Sequence, residues 1–234
     1  MGAIGKISVR FFINRNVKAL RIPLLGDSEL FPLYVQVTFN RKNTQFRSLH
    51  QRHYMNIEDA FNRDRSNLEY EEKLIQQVVE YHVKASQEQF QLKGLKERYK
   101  NYTSEIHFHV EKYLRNTMLA TLEGINSKYW VIMDPTTHWD VPSKIYYDAS
   151  AKLINNFETS LPKNFKNEMI YGEDFIKWCK RQHESPRLIE WINDSIKEEY
   201  KQYLLNKGKS VKQIAKQFNF IDEVVEMVEE NELV

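Results

Sequence analysis

The sequence predicts an α+β protein: a small antiparallel sheet at the N-terminus, followed by helices over most of the remainder. Three observations carry this. Residues 31–49, FPLYVQVTFNRKNTQFRSL, alternate apolar and polar side chains with a period of two. Residues 68–92 and 104–123 repeat their apolar residues at 3–4-residue spacing, the mark of helices with one buried face. The last third carries the same spacing in several short pieces, ending in what reads as a helix-turn-helix-like pair.

Leu33, Val35, Val37 and Phe39 share one side of an extended chain, and Tyr34, Gln36, Thr38 and Asn40 share the other. Asn40-Arg41-Lys42-Asn43 is turn-prone, because asparagine tolerates left-handed backbone. Thr44–Leu49 reads as the returning strand, with Phe46 available to the core. Residues 7–14, ISVRFFIN, read as a further strand. Residues 17–25 read as another, with Pro23 confined to an edge because it has no N–H to give. The 68–92 helix, expected to be capped by Asn67 and ended or bent at Gly94, supplies the cover that a small sheet needs. Together these form a first domain over residues 1–100.

Residues 101–234 read as a helical second domain. Its expected elements are a helix over 104–123 capped by Ser104 and closed by Gly124 in a left-handed turn, a short extended run at 129–133, and a helix over 144–159. Four helices follow, over 173–183, 188–205, 210–218 and 221–230. The last two, joined at Asn219, make the helix-turn-helix-like pair.

Charge is distributed unevenly. The chain carries +2 overall, but residues 1–57 hold nine Lys/Arg against two acids, a net +7. Residues 222–234 hold six acids and no base. A basic N-terminal face suits a polyanion, and an acidic C-terminal helix suits a protein partner. It does not suit a DNA groove, because phosphates repel Asp222, Glu223, Glu226, Glu229 and Glu230. No apolar run reaches the ~20 residues that a membrane span requires, and the N-terminus has no signal-peptide core. With Cys179 the single cysteine, the expectation is a cytoplasmic protein without a disulfide and without a membrane partner.

Motifs for chemistry are sparse, and no cofactor is expected. Cys179 and His183 stand at i, i+4, which can hold zinc, but no second pair completes a site. The expectation is a packed cysteine beside a surface histidine, and no metal. His107 and His109 point apart on a helix. Asp134, His138 and Asp140 share a polar loop without any partner motif.

One resemblance emerges from the hairpin. Val9-Arg10-Phe11-Phe12-Ile13-Asn14, then Pro32 through Lys42, then Gln45-Phe46-Arg47-Ser48, resemble the N-terminal arm-type DNA-binding domain of tyrosine recombinases from phages and conjugative transposons. The likeness spans residues 7–92. It lacks the family's turn glycine and the tryptophan after the hairpin, near which only Tyr54 and Phe61 are aromatic. The catalytic set of those recombinases is also missing: His183 and Arg187 have the wrong spacing, and no tyrosine follows Tyr203.

The resemblance implies a DNA-associated protein of a mobile element or phage that is not an enzyme. Its DNA-binding residues would be Arg41, Lys42 and Arg47 at the hairpin tip, extended by Arg10 and Arg21 where strand order permits. The alternative is a structural or adaptor protein that uses the same sheet against another protein.

Overall fold

The computed structural model describes residues 6–21, 29–50, 52–85, 90–125 and 141–230. It is α+β, with an N-terminal antiparallel sheet followed by helices. The chain divides into two compact units, residues 1–103 and 104–234.

In the first unit, β3 (Glu29–Phe39) is the central strand. It pairs antiparallel with β1 (Ser8–Ile13), β4 (Lys42–Arg47) and the two-residue strands β2 (Leu20–Arg21) and β5 (His53–Tyr54). β1 and β4 flank the same stretch of β3, so residues 34–38 have a neighbour on each side. Asn40 (φ 49) and Arg41 (φ 63) close the β3–β4 hairpin in two residues. Two successive positive φ angles define the type I′ turn, whose twist matches that of the strands.

The inner face holds Phe11, Leu33, Val35, Val37, Phe39 and Phe46, each at most 7% exposed. Helices α1 (Ile57–Ala85) and α2 (Leu95–Tyr102) cover it. Ala60, Leu68, Leu74, Ile75, Val78 and Val79 form the buried stripe of α1. Phe11 meets Phe61 edge-on at 6.3 Å, and Phe46 meets Tyr99 at 5.0 Å. Gly94, at φ 81, lets the chain enter α2 in a left-handed conformation that a side chain would resist.

α1 begins about ten residues before the expected start, and Asn67 lies inside it. The cap is Asn56, whose Oδ1 accepts the Asp59 N–H at 2.8 Å. A kink at Asp64 (φ −135, ψ 28) separates Ala60 from the rest of the buried stripe, Leu68 to Val79. The Asp64 carboxylate is buried there, accepting from Arg52 at 2.5 Å and from the Tyr54 hydroxyl at 2.9 Å. The second buried acid of α1 is Glu71. It accepts from Ser48 Oγ at 2.5 Å, the Leu49 N–H at 2.8 Å and the Tyr99 hydroxyl at 2.6 Å. It therefore ties the end of β4 and the face of α2 to one side chain.

The second unit is built on α3 (Ile106–Gly124), α6 (Phe165–Cys179) and α9 (Val211–Glu229), which pack on one another. A Cβ added at Gly172 of α6 would stand 2.7 Å from Leu114 Cδ1, so the glycine permits the close approach of α3. α4 (Ser143–Leu153), α5 (Phe157–Ser160), α7 (Leu188–Ile192) and α8 (Lys197–Asn206) complete it. Phe175, Trp178, Trp191, Tyr200 and Phe218 form its aromatic core, with Trp191 edge-on to Phe175 at 5.2 Å. The Trp191 ring N–H donates to Asp222 at 2.8 Å.

Several helix expectations are corrected here. The helix-turn-helix-like pair expected at 210–218 and 221–230 is one continuous helix, α9. Asn219 is not a breaker, and the buried row Ile214, Gln217, Ile221, Val224, Val225, Val228 runs straight through it. Ser210 does cap it, in a reciprocal box with Gln213. The single helix expected over 188–205 is broken into α7 and α8, with Asp194 between them at φ 60. α6 starts at Phe165 rather than 173. The 144–159 helix ends at Leu153, and Asn156 (φ 67) precedes the short α5. Gly124 does not close α3 left-handed, since among the described glycines only Gly94 and Gly208 have positive φ. Ser104 bonds His109 Nε2 at 2.6 Å, and Glu105 occupies the N-cap position of α3. The 129–133 run lies outside the described residues.

Two histidines give the fold an acid sensitivity. His82 packs edge-on to Tyr102 at 4.8 Å, and burial, aided by the Arg98 charge, holds it down at about 4. Burial, then the charges of Lys112 and His107, lowers His109 to about 4. Both are neutral when folded yet protonate near pH 6.5 when unfolded. The unfolded chain thus binds more protons between pH ~6.5 and ~4, and stability falls as pH drops through that window. Thermal unfolding followed from pH 7 to 4 should show a declining midpoint. His82→Phe, which keeps the ring and removes the titration, should flatten the decline. An unchanged slope in that variant would remove His82 from the account.

Candidate nucleic-acid interface

The register fixes which side chains share the outer face of the sheet. Three rows cross β1, β3 and β4: Ser8–Thr38–Asn43, Arg10–Gln36–Gln45 and Phe12–Tyr34–Arg47. Their neighbours along each strand, among them Phe11, Val35, Val37 and Phe46, are the buried inner face. A period of two thus places all nine on the side away from α1 and α2. Arg10, Asn43, Gln45 and Arg47 are exposed, and Phe12, Tyr34, Gln36 and Thr38 are half-buried by one another. None of the nine is acidic. Gln45 Nε2 donates to Gln36 Oε1 at 2.8 Å, and the Phe12 and Tyr34 rings lie 5.9 Å apart.

Three strands spaced about 4.8 Å apart make a face about 10 Å wide, and four residue steps make it about 13 Å long. The major groove of B-DNA is about 12 Å wide and admits a β-ribbon. Side chains of mixed cationic and amide character on such a face can meet both phosphates and base edges.

The expected site residues are not all brought together. Arg10 and Arg47 lie on this face, at opposite corners of its lower two rows. Arg41 stands in the turn, exposed. Lys42 is exposed but pairs with Phe39, so its side chain belongs to the helix-covered side. Arg21 is elsewhere: it pairs with Glu29 at the far end of β3, and its Nη2 bonds the Glu29 carboxylate at 2.7 Å. Arg10, Arg41, Lys42 and Arg47 make no ion pair with any described residue.

No family model, curated protein or solved structure matches this chain.

Reasoning from the sequence put Tyr34 and Gln36 on the outer side of β3 but counted neither them nor Phe12 and Gln45 among the site residues. The signal was present, since each shares the parity of Arg10 or Arg47 in its own strand. Away from the sheet, Cys179 is wholly buried and burial pushes its thiol far above the usual range, whereas the His183 side chain is 97% exposed. His107 Nδ1 meets Ser185 Oγ at 3.1 Å, while His109 meets Ser104, so the two imidazoles serve different partners. Among the described residues, no three His, Cys, Asp or Glu side chains are gathered as for a metal ion. No helix among them is long and apolar enough to cross a membrane. Asp134, His138 and Asp140 lie outside the described residues.

Proposed function

We propose that this chain is a non-enzymatic, DNA-associated protein that binds duplex DNA through the outer face of β1, β3 and β4. The carrying observation is the register, which gathers Arg10, Gln36, Gln45 and Arg47 on one face without a carboxylate. Arg41 extends the reach of that face from the turn. Lys42 serves a phosphate from the rim, and Arg21, held by Glu29, takes no part. The similarity of this hairpin to the arm-type domain of tyrosine recombinases supports a place in a mobile element or phage. The buried, reduced Cys179 fits a cytoplasmic setting.

A protein partner on α9 is the second reading. Glu223, Glu226 and Glu230 are exposed at i, i+3 and i+7, a single acidic stripe that suits a basic surface and repels DNA.

The test is a titration of labelled duplex at several salt concentrations. Contacts to phosphate release counterions, so log affinity should fall against log salt by about 0.9 per phosphate contacted. Three or four contacts would give a slope near −3. If no duplex is bound at low salt, the DNA reading is wrong and the protein-partner reading takes its place.

A further inference from the structure

Attraction to phosphate needs only cations, yet the centre of the outer face is a pair of amides. Gln36 and Gln45 face each other in register, and one Gln45 N–H is spent on Gln36. A carboxamide has two N–H donors and a carbonyl acceptor. Gln45 therefore keeps one donor and its whole carbonyl. Adenine offers the complement on its major-groove edge, an acceptor at N7 and a donor at N6, and a glutamine meets both at once. The bond to Gln36 also restrains a long exposed side chain before binding, which lowers the entropy lost on docking. Arg10 lies beyond Gln36 in the same row. An arginine is the matching reader of guanine N7 and O6.

We infer that Gln45, braced by Gln36, is a specificity-determining residue that reads an adenine in the major groove, with a guanine read by Arg10 nearby. This rests on the sheet-to-duplex reading above and adds base preference to it. The row from Arg10 to Gln45 spans two strand spacings, about 10 Å, or roughly three base-pair steps of 3.4 Å. The guanine and adenine should therefore fall within about three base pairs of each other.

The experiment selects bound duplexes from a randomised library with the full chain, then sequences them. The parent, Gln45→Ala, Gln45→Glu and Gln36→Ala are run in parallel. The parent should enrich adenine at one position. Gln45→Ala should lose that preference by roughly 5- to 150-fold while keeping the parent's salt slope on random duplex. Gln45→Glu should move the preference to cytosine, whose N4 amino group donates to a carboxylate. Gln36→Ala should weaken the adenine preference without abolishing it. All three changes are on the solvent side, so thermal unfolding checks that the fold is intact. A parent that binds duplex with no base preference overturns this inference and leaves the DNA reading standing, as does an adenine preference that survives Gln45→Ala. A parent that binds no duplex overturns the DNA reading itself.

Discussion

Replacing Arg10 and Arg47 together with alanine should weaken duplex binding on the order of a hundredfold at low salt, at about 1.4 kcal/mol for each guanidinium. Both side chains are exposed on the outer face, and among the described residues no acid competes for Arg10 or Arg47. The thermal midpoint should stay within experimental error, because exposed charges without a partner add little to stability. The salt slope should become shallower by up to two contacts' worth, close to 1.8. Arg21→Ala is the control: it removes a cation already neutralised by Glu29, far from the face, and should leave affinity unchanged. A double variant that binds like the parent would place the interface elsewhere on the molecule.

Glu71→Ala should unfold the first unit far more readily than any change on the outer face. Glu71 is 1% exposed and accepts three hydrogen bonds, from Ser48, Leu49 and Tyr99. Ser48 is 4% exposed and Tyr99 2%, so water cannot replace the lost acceptor without opening the core. An unsatisfied buried donor costs about 1–3 kcal/mol, and losing the acceptor of the two buried donors, Ser48 and Tyr99, should cost about 2–5 kcal/mol. Amide hydrogen exchange reads the effect locally: protection in β3 and β4 should collapse, while α3, α6 and α9 keep theirs. Glu71→Gln keeps the shape and one carbonyl acceptor, and should lose less. Equal loss in both variants would mean that the negative charge, rather than the three bonds, is what the core needs.

The outer face and the buried Glu71 are both tertiary features, and the sequence carries them only in part. The alternation Leu33, Val35, Val37, Phe39 marked the buried side of β3 from the chain alone, and the outer side followed by parity. Lys42 was grouped with Arg41 and Arg47 at the tip, and only its pairing with Phe39 turns its side chain toward the helices. What parity cannot give is the alignment of β1 against β3. Arg10 opposite Gln36 is decided by pairing between segments more than twenty residues apart. The start of α1 was hidden for a different reason. Asp64 and Glu71 are buried in its apolar stripe because Arg52, Tyr54, Ser48 and Tyr99 satisfy them, and those partners are distant in sequence. In α9, a turn was read at Asn219 from its local preference. The uninterrupted row from Ile214 to Val228 overrides that preference by burying it within one helix.

The aromatic core of the second unit has an optical consequence. All four tryptophans of the chain, at 130, 139, 178 and 191, follow residue 103. Light absorbed only by indole therefore excites the second unit and is silent on the sheet. Emission from Trp191, wholly buried and bonded to Asp222, will shift to the red when that unit loosens. The chromophore on the outer face of the sheet is Tyr34, beside Phe12, so the proposed docking of a duplex there should be followed in the tyrosine band.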